Sequence, residues 1–372
     1  MEHGVPTNTT GRLAYLADER DVEIREYPVP DPEPGALVTE VVRANVCGSE
    51  LHIWNGEHPL LDRMVLGHEA LCRISDLGEG VTTDYNGEPI EEGDHVAPTY
   101  FVACGKCAAC GRGEFRSCEN DLSHWVNHPD EFPHFHGTFA THYYIHPEQH
   151  FYKVPENIPD GVAAAANCAL TQVLFGLEQV ELSYGETVVI QGGGGLGQNA
   201  IAVANEFGAE TILVEGVDER IERARDFGVD HVIDFREHET VEARADRVAE
   251  LTDGRGADVG VEVAGVPDAF AEGPHLLRNG ARYLEIGNIT PGHTTEFDPA
   301  LLTRKNIEVT PTMHYDPWYL GQGLDFLSRT VDRYPYAELI DAEFDLVDVS
   351  TALQKADDRE MTRPSLSPGH GD

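Results

Sequence analysis

The stretch QGGGGLGQNA, residues 191–200, decides the fold. It follows a β-branched run, TVVIQG (187–192), and opens a segment with helical spacing. Gly192, Gly194 and Gly197 fill a G-x-G-x-x-G frame, with Gly195 and Leu196 between the last two. Glycine at those places permits a tight turn, lets the backbone approach a pyrophosphate, and lets helix and strand pack closely. The N-terminus of the following helix then offers free N–H groups to phosphate oxygens. A glycine-rich hairpin has the same composition, so the context has to decide. The next β-branched run, TILVEGV (211–217), carries Glu215, 18 residues after Gly197, near the spacing of an acid that takes a ribose 2′-hydroxyl. An acid there repels a 2′-phosphate, which favours NAD, while Arg220 close by leaves NADP open.

Working outward, four more short runs read as strands: HVIDF (231–235), ADVGVEVAG (257–265), ARYLEIGN (281–288) and IEVTPTM (307–313). The segments between them have helical spacing and stop signals, such as DERIERARDFG ending at Gly228. Strands alternating with helices imply βαβ units and a doubly wound parallel sheet. Residues 1 to about 155 differ: short alternating runs such as ALVTEVVRA lie between long Pro- and Gly-rich loops, the pattern of an irregular, mostly β domain. The expected division is 1–160, 161–318 and a C-terminal segment, 319–372, that returns to the first domain. A cleft between the two domains is then the natural ligand site.

At 372 residues the chain is long enough for two domains and needs no disulfides to hold its core. The first residues show neither a basic n-region nor an apolar h-region, and no run approaches the length of a membrane span. A cytoplasmic protein with reduced thiols is expected. Acids number 66 against 26 Lys and Arg, a formal net charge of −40. That excess is spread along the chain and would make the fold repel itself in dilute buffer. Molar salt shortens the Debye length to about 3 Å and removes the penalty, so salt adaptation is expected. The same charge argues against nucleic acid or an anionic membrane as partner.

Four of the seven cysteines, Cys104, Cys107, Cys110 and Cys118, fall in CGKCAACGRGEFRSC (104–118). Four thiolates can close a tetrahedral zinc site, and a closed site leaves no position for substrate. Three quieter stretches, ANVCGSELH (44–52), LGHEA (66–70) and AAANCALT (164–171), hold Cys47, His52, His68, Glu69 and Cys168. Singly each is ambiguous, since a buried cysteine is usually core. Together they supply a Cys2His set with an open fourth position. Cys72 is left as a small core residue.

With these motifs in this order, the chain resembles the zinc-dependent medium-chain dehydrogenases related to alcohol dehydrogenase, over nearly its whole length. The resemblance implies a GroES-like catalytic domain and a Rossmann domain in an α/β protein. It implies structural zinc on Cys104, Cys107, Cys110 and Cys118. Catalytic zinc would lie on Cys47, His68 and Cys168, with Glu69 as an intermittent ligand and Glu50 behind the histidine. Glu50 stands where relatives commonly have Asp, and Gln172 where many have Thr.

The implied reaction is hydride transfer between an alcohol, secondary or cyclic favoured, and NAD. Zinc would lower the hydroxyl pKa as it lowers that of water, from about 15.7 to about 7. By the same resemblance Ser49 takes the proton and His52 passes it to solvent. A small-molecule substrate and a homo-oligomer, dimer or tetramer, are expected as partners. Two readings compete: a zinc-free quinone or enone reductase of the same superfamily, which has no use for Cys47, His68 and Cys168, and a non-catalytic NAD-binding zinc protein. The seven histidines of residues 124–150 match no metal-ligand spacing, and FATHYYIHP reads as a strand with outward-facing histidines.

Overall fold

The structure is a computed structural model that describes residues 9–58 and 61–369. The chain forms two compact units. Among the described residues, one holds those up to Cys168, Asp316–Val331 and those from Tyr336 on; the other holds Ala169–Tyr315 and Asp332–Pro335.

In the first unit β1 (Thr10–Asp18) and β2 (Asp21–Pro28) form an antiparallel ribbon. The main sheet is built on β3 (Leu37–Asn45), which runs antiparallel to β4 (Glu69–Leu77). β5 (His95–Pro98), β6 (His142–Ile145) and β7 (Phe151–Lys153) extend it, with the late strands Ala342–Phe344 and Pro364–Leu366 at the far edge. Between β3 and β4 sits α1 (Gly48–Trp54), whose first turn begins one residue after Cys47. The cysteine-rich stretch folds as a loop around one turn of helix, α2 (Ala108–Gly111). Leu13, Tyr15, Val65, Phe135 and Ala140 pack together as one cluster of this unit's core. Apolar burial of this kind contributes about 25 cal/mol per Å² and is what holds a loop-rich domain together.

α3 (Asp160–Ala164) leads into a single wide π-turn, Ala166–Leu170, and then α4 (Thr171–Gln179). Cys168 lies at the middle of that wide turn.

The second unit carries the parallel sheet. β8 (Thr187–Gln191), α5 (Gly195–Glu206), β9 (Glu210–Glu215), α6 (Asp218–Asp226), β10 (His231–Asp234) and α7 (Val241–Leu251) come first. β11 (Ala257–Glu262), α8 (Pro267–Leu276), β12 (Leu277–Glu285), α9 (Ala300–Lys305) and β13 (Glu308–Pro311) complete it. The strand order is β10-β9-β8-β11-β12-β13, all parallel, so the order reverses between β8 and β11, where doubly wound sheets bind ligands. Val189, Ile212, Val214, Ile233, Ala257, Leu276 and Tyr283 fill the core on this sheet. The carbonyls around the end of α8 are capped by one cation: Lys305 Nζ donates to Pro274 O at 2.8 Å and Leu277 O at 2.7 Å.

Candidate active site and metal centres

Cys47, His68, Glu69 and Cys168 arrive from four places: the residue before α1, the loop before β4, the first residue of β4, and the π-turn. One donor atom from each lies within 4.8 Å of the others. The Cys47 and Cys168 sulfurs are 3.9 Å apart, and His68 Nε2 is 3.3 Å from Cys168 Sγ. Two thiolates on one tetrahedral zinc, each about 2.3 Å from it, stand about 3.8 Å apart, so the donor set fits the ion.

Local structure aims each donor. Gly67 holds φ +94, and a Cβ there would fall 2.4 Å from Phe139 N, so only glycine lets the chain turn into His68 at this place. Glu50 accepts from the Cys47 amide through Oε2 at 2.9 Å and pairs with His68 Nδ1 through Oε1. That pairing puts the ring proton on Nδ1 and leaves the Nε2 lone pair facing the sulfurs. Asn167 Nδ2 donates to His68 O and Pro98 O, both at 2.9 Å, and ties the π-turn to the histidine strand. Behind the set, Arg363 Nη1 holds both oxygens of Glu69, at 2.7 and 2.8 Å, with the pair almost fully buried.

The thiols reflect this crowding. Cys47 is held well below the usual thiol range, first by the hydrogen bond from Cys168 and then by His68, while Cys168 is pushed up by the same contact and by burial. One wall beside the donors is aromatic: the His68 ring lies 5.3 Å from Tyr100 and 5.5 Å from Trp125. Ser49 and His52 lie on α1, one turn apart, and His52 Nδ1 is 2.6 Å from Glu57 Oε2.

The second group is the lobe of Cys104, Cys107, Cys110 and Cys118, whose sulfurs also converge within 4.8 Å. Cys107 and Cys118 are 4.0 Å apart, again the spacing of thiolates sharing one ion. Backbone amides point at the sulfurs: Cys110 N at Cys107, and Cys104 N and Asn120 N at Cys118, each at 3.4 Å. The Lys106 amide, then Asn120, pull Cys104 down to about 6, whereas burial pushes Cys110 up to about 12. Phe115 packs edge-on against Trp318 at 5.7 Å and anchors the lobe to the start of the helix Tyr319–Thr330.

Cys72 is fully buried, as expected of a core thiol, and burial pushes it up to about 12. The expectation of outward-facing histidines needs correction. His146 stacks on His124 at 3.7 Å, His136 is buried, and burial pushes His136 to about 4, His146 to about 3 and His150 to about 4. The strand ends at Ile145, so His146 lies beyond the alternation, and His142, its first residue, is half-buried with its ring 5.6 Å from that of Phe135. None of these histidines joins either metal-capable group.

In the second unit Gly192 holds φ +103, and a Cβ there would meet Ala264 Cα at 2.8 Å. A Cβ on Gly197 would meet Gly192 O at 2.0 Å. Gly194 caps α5, and Gly195 and Leu196 form its first turn. Glu215 accepts from Gly193 N at 2.8 Å and from Gly216 N at 2.6 Å, with Arg220 at 3.6 Å. The acid thus braces the glycine-rich turn. Gln172 donates to Met313 O and Thr312 O and ties α4 to the end of β13. Arg363, Asn167, Tyr100 and Trp125 are the members of the site that sequence reasoning missed. Only Asn167, a lone amide in the apolar run AAANCAL, carried a local signal.

Residues 33–156 match the family model for the alcohol dehydrogenase GroES-like domain, and residues 195–329 that for the zinc-binding dehydrogenase. The chain is 33% identical over 358 residues to 5-exo-hydroxycamphor dehydrogenase of Pseudomonas putida, covering 95% of this chain and 98% of that one. It is 34% identical over 281 residues to L-threonine 3-dehydrogenase of Pyrococcus horikoshii, covering 73% and 74%. An alcohol dehydrogenase structure from Thermotoga maritima superposes with a TM-score of 0.91 at 29% identity, covering 97% of this chain and all of that one. Two family domains in order, and likeness over the whole length, make this chain a member of the zinc-dependent medium-chain alcohol dehydrogenase family, an oxidoreductase acting on CH–OH donors.

Proposed function

We propose that the protein is a zinc- and NAD-dependent dehydrogenase of a cyclic secondary alcohol, interconverting it with the ketone. The observation that carries this reading is the convergence of Cys47, His68, Glu69 and Cys168 beside an aromatic wall. A bound zinc supplies a Lewis acid that acidifies the substrate hydroxyl, and a bound NAD supplies the hydride acceptor.

Cys47, His68 and Cys168 hold the metal, and Glu69 is an intermittent fourth donor. Glu50 fixes the tautomer of His68. Arg363 restrains Glu69 by holding both of its oxygens through Nη1. Ser49 takes the hydroxyl proton, and His52, one turn along α1, carries it outward with Glu57 orienting its ring. Tyr100 and Trp125 exclude water from one side and offer flat apolar surface to a bulky hydrocarbon skeleton. Gly192, Gly194, Gly195, Leu196 and Gly197 take the pyrophosphate, and Glu215 the adenosine ribose. The lobe at Cys104, Cys107, Cys110 and Cys118 holds a second, structural zinc that meets no substrate. Copies associate through the open edge of β13.

The test is a panel of alcohols assayed with NAD and NADP in molar KCl, followed by the absorbance of the reduced coenzyme. Higher kcat/KM for alicyclic secondary alcohols than for polyols or short linear alcohols is expected, with NAD preferred. A preference for polyols or hydroxy amino acids would overturn the substrate assignment and leave the reaction class standing.

A further inference from the structure

The C-terminal ends of β11 and β12 bring two carboxyl groups together. Glu262 and Glu285 are register partners on adjacent parallel strands, and Glu262 is fully buried. Their four oxygens are unequally supplied with donors. Glu262 Oε1 accepts from Ala264 N at 2.8 Å and Gly265 N at 2.9 Å. Asn288 Nδ2 donates to Glu262 Oε2 and to Glu285 Oε1, both at 3.0 Å. Asn288 N also reaches Glu285 Oε1, at 3.1 Å. The remaining oxygen, Glu285 Oε2, is buried and has no donor among the described residues. An acceptor without a donor is costly in such a place, and two adjacent carboxylates cannot both ionise cheaply. A single proton held by Glu262 and shared with Glu285 relieves both costs.

The pair has a direct path to the glycine-rich turn. Ala264, whose amide Glu262 holds, lies against Gly192, where even a Cβ would come within 2.8 Å of its Cα. A Cβ on Gly197 would stand in ordinary contact with Val263 Cγ2, at 3.7 Å. On its other side the pair fixes Gly287, where a Cβ would meet Glu262 Oε2 at 2.5 Å and Gly265 N at 2.5 Å.

We propose that Glu262 and Glu285 are positioning residues for the dinucleotide: while they share one proton they clamp residues 263–265 against the glycine-rich turn, and losing that proton loosens the clamp and weakens coenzyme binding. The proposal rests on the coenzyme reading given above. Burial, and then the Glu285 charge, push Glu262 up to about 8, so the release falls in the mildly alkaline range. The other ionisable groups around the pair do not offset it. Glu272 of α8 is paired with Arg244 of α7 and receives Gln191 Nε2 at 3.2 Å. Tyr283, two residues before Glu285, is held above the usual phenol range by burial and then by Glu262, Glu285 and Glu272.

The experiment is NADH binding to the holoenzyme, followed by fluorescence, from about pH 7 to about pH 9.5. It compares the native protein with Glu285→Gln, whose amide supplies permanently the donor that the shared proton supplies. One coupled proton steepens the rise in Kd by at most about tenfold per pH unit. The native Kd is expected to rise through this range by several-fold more than that of Glu285→Gln. The variant should bind at about pH 9.5 as the native protein does near neutrality. Glu285→Ala, which removes the donor as well, should bind weakly throughout, so rescue by Gln separates the clamp from mere packing. Native and Glu285→Gln profiles of the same slope would overturn the proposal and leave the coenzyme reading intact. Absence of dinucleotide binding at every pH, in protein that stays folded by circular dichroism, would overturn both.

Discussion

At the scale of single residues, the site depends on buried charges that only the fold brings together. Arg363 and Glu69 are 294 positions apart and meet in the interior. Removing one partner of such a pair leaves an uncompensated charge, so Arg363→Met should lower the unfolding free energy by about 3–5 kcal/mol. Urea unfolding at constant salt measures this; a loss below about 1 kcal/mol would mean that the pair contributes little. On the proposed function, Cys47→Ser should retain the fold and coenzyme binding but lose turnover and about one zinc ion per chain relative to the native protein, read by metal analysis. His52→Ala should slow turnover chiefly at low pH, with added imidazole buffer restoring it; loss of rate independent of pH would remove His52 from proton transfer.

At the scale of elements, the structure divides what is local from what is not. The strands of the parallel sheet fall close to the runs read from the sequence, because β-branched segments between helical repeats encode their own conformation. The donor groups were legible as candidates, since four cysteines crowd into residues 104–118 and Cys47, His68, Glu69 and Cys168 make a set only when taken together; the structure brings the donors of each group within 4.8 Å. What could not be read is what comes from distant chain: Arg363 behind Glu69, and Trp125 against His68. No local period links such residues to the motifs they serve. The histidine-rich segment differs from its alternation for the same reason, because its burial comes from rings elsewhere in the chain, such as Tyr85 on His150 and His124 on His146.

That burial has a consequence in acid. His136, His146 and His150 have folded pKa values below the unfolded one, so the unfolded chain binds protons that the fold does not. Their contribution is complete above about pH 6.5 and lost as the pH falls below it. The melting temperature should therefore drop between about pH 6.5 and about pH 4.5 by more in the native protein than in His146→Phe, scanned by calorimetry at constant salt. Equal slopes would show that the imidazoles are not the cause. The cysteine lobe makes a second case. On the proposal that the lobe holds a structural zinc, the ion would be folding energy for its loop, so Cys107→Ser should open residues 104–118 to protease while the parallel sheet keeps its melting behaviour.

At the scale of the whole molecule, charge dominates. With a net −40 the chain is expected to need salt: dialysis to low ionic strength should lower its melting temperature, and molar KCl should restore it. An unchanged melting temperature in dilute buffer would sink the idea of salt adaptation. Among the described residues no helix is long and apolar enough to cross a membrane. The charge also arises from scarcity of bases, since the sequence holds only four lysines. Lys305 donates to the carbonyls around the end of α8, Lys153 pairs with Asp94 at 2.9 Å, and Lys355 with Glu360 at 3.1 Å. Lys106 is exposed and sits between Cys104 and Cys107. Lysine-directed coupling of this enzyme to a bead, a dye or a crosslinker will therefore fall first on the thiol lobe, and an immobilised catalyst is better tethered through an engineered cysteine-free tag at a chain end.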